Sequence, residues 1–337
     1  MTRLRQLALG GFAAALIVTG AATKSFATEG FDFDNRLFGA TEGLPLGAAA
    51  PPGIYSGAGS IITPNFRAYG NQSGGGSPSL LTFPSAGMAV PILWSTGYNF
   101  LGAAYSVSVV QAFYAAGSIT GLTPGTFDSG TGWFWEIANT IWNPINLSWN
   151  LGNGFFVSAG FDFMAPDGAR YLGNLNPDYW TFEPTLAFSY LSKSWILSVN
   201  MFYDINTAAQ GVCCLGGNGV PGTANMINGN LFFADFTALY QIGKWQIGPV
   251  GFIKAQTTND QLSGGFTCTY GVGGTCGKEL AIGAGGLVGY DFGPVSFQVW
   301  VTDGFVNKDD INGLAVWWRT GFRVWAPESP KPLVAKN

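Results

Sequence analysis

The sequence contains no histidine and few charges: Asp, Glu, Lys and Arg together make up 10% of its 337 residues. Soluble domains carry about a quarter of charged residues, so a solvated globular surface is hard to build from this chain. Without imidazole, the usual general base near neutral pH and the commonest zinc and copper ligand are both missing. Hydrolysis by a Ser–His or Asp–His arrangement is therefore excluded. No carboxylate-only or lysine-based constellation stands out, and no catalytic residue, metal or cofactor is assigned. No basic stretch offers a nucleic-acid footprint, and the net charge is a mild −4. Beyond the N-terminus there is also no unbroken apolar run of the ~20 residues that a membrane helix needs.

Glycine, by contrast, occurs 50 times, and aromatic residues make up 15% of the chain. That mixture is too apolar for disorder and too rich in glycine for long helices. The first residues read as an export signal: two arginines in "MTRLRQ", a short apolar run in "LALGGFAAALIVTG", and Ser25 and Ala27 before a cut. Residues 1–27 are expected to be this signal peptide, with cleavage after Ala22 as the alternative. In an exported chain, Cys213, Cys214, Cys268 and Cys276 are disulfide candidates rather than metal ligands. Their connectivity stays open among three arrangements.

"SWILSVNMFYDIN", residues 194–206, repeats with a period of two. Trp195, Leu197, Val199, Met201 and Tyr203 form one face, and Ser198, Asn200 and Asp204 lie on the other. "TFEPTLAFSY" and "VSFQVWVT" alternate in the same way. Short turns flanked by aromatics recur at "WSTGY", "WNLGNGF", "YLSKSW", "YQIGKW" and "YDFGPVSF", and much longer connections rich in Gly and Asn separate them. Alternating short and long connections, an apolar outer band and aromatics at the turns are the marks of a transmembrane β-barrel. Lipid cannot solvate open backbone groups, so a non-helical chain must close its sheet to reside there.

The expectation is an all-β transmembrane antiparallel barrel of about twelve strands, with short periplasmic turns and long extracellular loops. The strands are placed near 53–66, 86–94, 98–115, 142–150, 155–163, 180–190, 195–204, 230–241, 245–255, 279–290, 295–303 and 313–325. Residues 28–52 are left as a periplasmic segment or a lumen plug, 53–325 as the barrel and 326–337 as a periplasmic tail. Segment 130–141 stays open between a short helix, an extra β-piece and a lumen constriction. Both termini are placed on the periplasmic side, and the chain is read as a monomer among outer-membrane lipids.

The inward face then carries Asp162, Glu183, Asp235, Lys254, Arg319 and Arg323 as a polar cluster, with Asn200 and Gln298. Arg319 with Glu183 or Asp235 would brace the barrel. Acids and bases look balanced on this face, which argues against a strongly ion-selective pore. The same face carries Phe156, Phe202, Phe233, Phe252, Trp300 and Trp317, either as filling beside the ion pairs or as a partly apolar path for small solutes. Wide aqueous porins use ~16–18 strands, so free aqueous diffusion fits poorly.

"AAAPPGIY" at 48–55, "GYDFGPVSFQVWVTD" across the last turn and "WWRTGFRVWAPESPKPLVAKN" at the end resemble the outer-membrane family named for the meta-cleavage pathway of phenol degradation. "ATEG" at 27–30, across the expected cut, is similar to the family's mature start. The resemblance implies a β-barrel transporter for passive uptake of small hydrophobic or aromatic compounds, and it does not imply an enzyme of phenol breakdown. It carries over no ligand residues. The alternatives are a structural or adhesive barrel with a closed lumen and a narrow non-specific porin. Phe322 and Trp325, before the proline-rich tail, are the expected signal for the outer-membrane assembly machinery.

Overall fold

The structure is a computed structural model, and it describes residues 34–69, 81–116, 134–169, 177, 179–208, 227–259, 278–308 and 310–327. The signal peptide, the four cysteines and most of the C-terminal tail lie outside these residues. Alternating side chains drive the described residues into fourteen strands: β1 (Gly53–Tyr69), β2 (Leu81–Phe100), β3 (Ala103–Ala116), β4 (Phe134–Ile137), β5 (Ile141–Gly152), β6 (Phe155–Met164), β7 (Thr181–Leu191), β8 (Trp195–Asn206), β9 (Leu231–Ile242), β10 (Trp245–Gln256), β11 (Leu280–Asp291), β12 (Val295–Lys308), β13 (Asp310–Asn312) and β14 (Ala315–Trp325).

Twelve of these strands form the ring, and β1 closes it by pairing with both β2 and β14. All pairings around the ring are antiparallel. The two short pieces prolong neighbours at the long-loop end. β4 lies beside β3 in line with β5, and β13 lies beside β1 in line with β14. Segment 130–141 therefore contributes β4, then a break at 138–140, then the start of β5. Among the described residues there is no helix long and apolar enough to cross a membrane.

The hairpins follow from turn chemistry. Leu101–Gly102 and Asn153–Gly154 both take positive φ, at 53° and 78° and at 54° and 83°, the pairing that matches the twist of the flanking strands. One placement needs correction. "WSTGY" is not a turn, because β2 runs on to Phe100 through a register shift between Ser95 and Asn99. Gly97, at φ 79°, makes this bulge, and Thr96 Oγ1 steadies it by donating to Tyr105 O at 2.7 Å. β2 also begins at Leu81, earlier than its periodicity suggested, because the hairpin with β1 is longer than the expected strand ends.

Face by face, β8 carries the pattern of the whole barrel. Ile196, Ser198, Asn200, Phe202 and Asp204 are buried inside, while Trp195, Leu197 and Ile205 are exposed outside. Aromatic pairs ring the outer surface at the short turns: Phe155–Tyr190 at 4.8 Å, Trp195–Tyr240 at 5.0 Å and Trp245–Tyr290 at 4.7 Å between ring centroids. A second group, Trp142, Phe163, Trp180 and Phe182, stacks at the other end at about 6.4 Å spacings. Amphipathic rings favour the interfacial layers, so the two belts bound the band that faces hydrocarbon.

Candidate functional site: the lumen and the segment that crosses it

Residues 34–52 have no strand or helix; as far as Ala50 they lie inside the barrel, and Pro51 and Pro52 are exposed. At the long-loop end, Asn35 Nδ2 donates to Thr181 Oγ1 at 2.7 Å, at the start of β7. At the short-turn end, Ser95 Oγ of β2 donates to Ala50 O at 2.7 Å. The segment thus runs the length of the lumen before the chain enters β1.

An irregular backbone can sit inside only if its polar groups find partners, and the wall supplies them. Asp235 of β9 accepts from Gly39 N and Thr41 N, each at 2.9 Å, and from Thr41 Oγ1 at 2.6 Å. Thr237 Oγ1 accepts from Gly43 N at 2.8 Å. Asn200 Nδ2 of β8 donates to Thr41 O at 3.1 Å and Leu44 O at 3.0 Å. Ser158, Ser189 and Ser148, on β6, β7 and β5, bind the backbone of Leu46 and Gly47 at 2.7 to 3.0 Å. Two glycines allow this closeness. A Cβ on Gly43, where φ is +79°, would come within 2.6 Å of Leu287, and one on Gly47 within 2.7 Å of Ser189 N.

Charge fastens the segment at two points. Arg36 donates through Nε and Nη2 to both oxygens of Glu183 and through Nη2 to Asp162 Oδ2 at 2.9 Å. The two carboxylates compensate the charge of this buried guanidinium, which would be costly to bury alone. Lys254 of β10 gathers Asp34, Glu279 at 2.7 Å and Asp310 at 3.0 Å.

Arg319 requires a correction. It pairs with neither Glu183 nor Asp235 as a brace, but donates to Ala40 O at 3.3 Å, to Glu42 O at 2.7 Å and to Gln298 Oε1. Arg319 therefore braces the wall mainly against the segment, whereas Lys254 also ties wall to wall through Glu279 and Asp310. Arg323 is exposed at the short-turn rim, because β14 emerges there. The polar residues proposed as one cluster fall into separate groups around Arg36, Lys254 and the backbone of residues 39–43.

The balance of acids and bases is also corrected. Among the described residues, eight carboxyl side chains are buried (Glu42, Glu136, Asp162, Glu183, Asp204, Asp235, Glu279 and Asp310), against two buried cations, Arg36 and Lys254. The lumen is rich in acid. Of the residues that sequence reasoning missed, Asp204 was legible on the Asn200 face of β8. Glu279 and Asp310 sit at strand ends, and Asp34, Arg36 and Glu42 sit in sequence without periodicity.

Phe202, Phe233, Phe252, Trp300 and Trp317 are buried together with Phe38 of the segment in one apolar cluster. Phe38 meets Phe252 at 4.6 Å, and Trp300 stacks on Trp317 at 5.5 Å. The Arg36 guanidinium lies 3.8 Å from the Phe202 ring centroid, and Arg319 lies 4.9 Å from that of Trp300. Phe156 is half-buried and outside the cluster.

Glu42 is fully buried, neither of its oxygens has a hydrogen-bond partner, and it sits beside Trp300 Nε1 without closing a bond to it.

The sequence matches the model of the family described as "Putative MetA-pathway of phenol degradation" over residues 70–320. The chain belongs to this family. The fold of this family member is shared with the COG4313 outer membrane channel from Pseudomonas putida F1, at a TM-score of 0.62 and 12% identity, over 81% of this chain and 96% of that one. The Pseudomonas putida toluene transporter TodX aligns at a TM-score of 0.38 and 9% identity, over 89% of this chain and 99% of that one. The CymD monoaromatic hydrocarbon channel aligns at 0.35 and 11%, over 81% and 89%. No curated protein matches the sequence.

Proposed function

We propose that this family member is an outer-membrane channel for passive uptake of small hydrophobic or aromatic compounds, with residues 34–52 as its gate. The observation that carries this reading is the cluster in which Phe38 of the segment packs among Phe202, Phe233, Phe252, Trp300 and Trp317 of the wall. When the segment shifts, it uncovers rings, which suit a planar apolar solute better than a sugar. A solved structure that shares the fold is an outer membrane channel. The wall closes within one chain through β1 and β14, so a monomer suffices. Phe322 and Trp325 on the last strand are exposed, where assembly machinery could read them.

Permeation into proteoliposomes tests the reading across a series of sugars, amino acids and monoaromatic acids, each compared with protein-free vesicles. Monoaromatics should enter faster through the protein, while sugars should not. Sugar passage would favour a general pore, and passage of nothing would favour a closed structural barrel.

A further inference from the structure

Asp162 of β6 and Glu183 of β7 are direct cross-strand partners on the inward face. Asp204 of β8 lies beside them, buried, with its Oδ1 lacking a hydrogen-bond partner. Like charges opposite one another on adjacent strands destabilise a sheet, so the wall requires a cation here. Among the described residues, no wall side chain provides it. Arg36 comes from the segment, makes a forked pair with Glu183, reaches Asp162 at 2.9 Å and covers the Phe202 ring at 3.8 Å. Forked carboxylate pairing together with an aromatic face selects a planar, delocalised cation over a hydrated metal ion. Any movement of the segment that clears the lumen must withdraw Arg36 and leave this site empty.

The geometry points to a binding site for planar organic cations, amidinium or guanidinium in type, built by Asp162, Glu183, Asp204 and Phe202 and filled at rest by Arg36 of the same chain. Such a solute competes with Arg36 and thereby favours release of the segment. This second step rests on the channel reading, whereas the binding step does not.

The test uses the full chain in detergent, with Arg36→Ala to vacate the site and benzamidinium chloride as the probe. Benzamide is the uncharged control, and sodium chloride holds ionic strength constant. Benzamidinium should raise the thermal unfolding midpoint of Arg36→Ala by several degrees. It should leave wild type and the double variant Arg36→Ala/Glu183→Gln unmoved, and benzamide should move none of them. If Arg36→Ala does not fold unaided, its refolding yield should rise several-fold with benzamidinium and not with sodium chloride. No shift and no recovery, or an equal shift in wild type or the double variant, would overturn the site. Failure of the permeation series would leave this result standing, so the two readings can fail separately.

Discussion

Lys254→Met should destabilise the folded barrel by about 3–5 kcal/mol, the usual cost of removing one partner from a buried ionic cluster. Lys254 is almost wholly buried and is the cation on which Asp34, Glu279 and Asp310 converge. Methionine fills a similar volume and still packs, so the loss is electrostatic rather than a cavity. With the ammonium gone, the carboxyl groups either take up protons or draw water into the loop end of the lumen, and both cost free energy. The loss should appear as an earlier urea midpoint in detergent, with the slope unchanged. A midpoint within about 0.5 kcal/mol of wild type, the range of ordinary surface changes, would mean that the cluster is hydrated already.

Deleting residues 29–50 should produce the second large effect, a steady ion current in planar bilayers where the intact protein passes little. The deletion removes the backbone that occupies Asp235, Thr237, Asn200, Ser189 and Ser148. Water can replace it on every one of these groups, so the wall should tolerate the loss better than it tolerates Lys254→Met. The exposed wall keeps Asp162, Glu183, Asp204 and Asp235 while losing Arg36, so the current should favour cations. An unchanged current would end the gating role of the segment.

The barrel was legible in the sequence because its two faces differ so strongly. In β7, Glu183, Thr185 and Ser189 alternate with Phe182, Leu186 and Phe188, and scarce charge leaves lipid as the natural neighbour of the second set. Strand ends were less legible. Gly97 supplies the positive φ that either a turn or a bulge can use, and only the pairing of β2 with β3 decides between them. Periodicity also identified which residues point inward, but not what they meet there. Most partners of Asp235, Arg319 and Asn200 are backbone groups of residues 39–44, whose sequence, "GATEGL", has no period. Arg36 and Glu42 were hidden for the same reason. The acid excess followed from that gap, since half of the charges that decide it lie in the segment or at strand ends.

On the reading proposed above, solute passes through the lumen, against the rings that the segment covers. Uptake of a labelled monoaromatic compound by intact cells tests it most directly, comparing wild type, the double substitution Phe233→Ala/Phe252→Ala and cells without the protein, at matched surface levels. Wild-type cells should take up the compound several-fold faster than cells lacking the protein, and the double substitution should remove most of that gain. Equal uptake with and without the protein would rule out passage through the lumen.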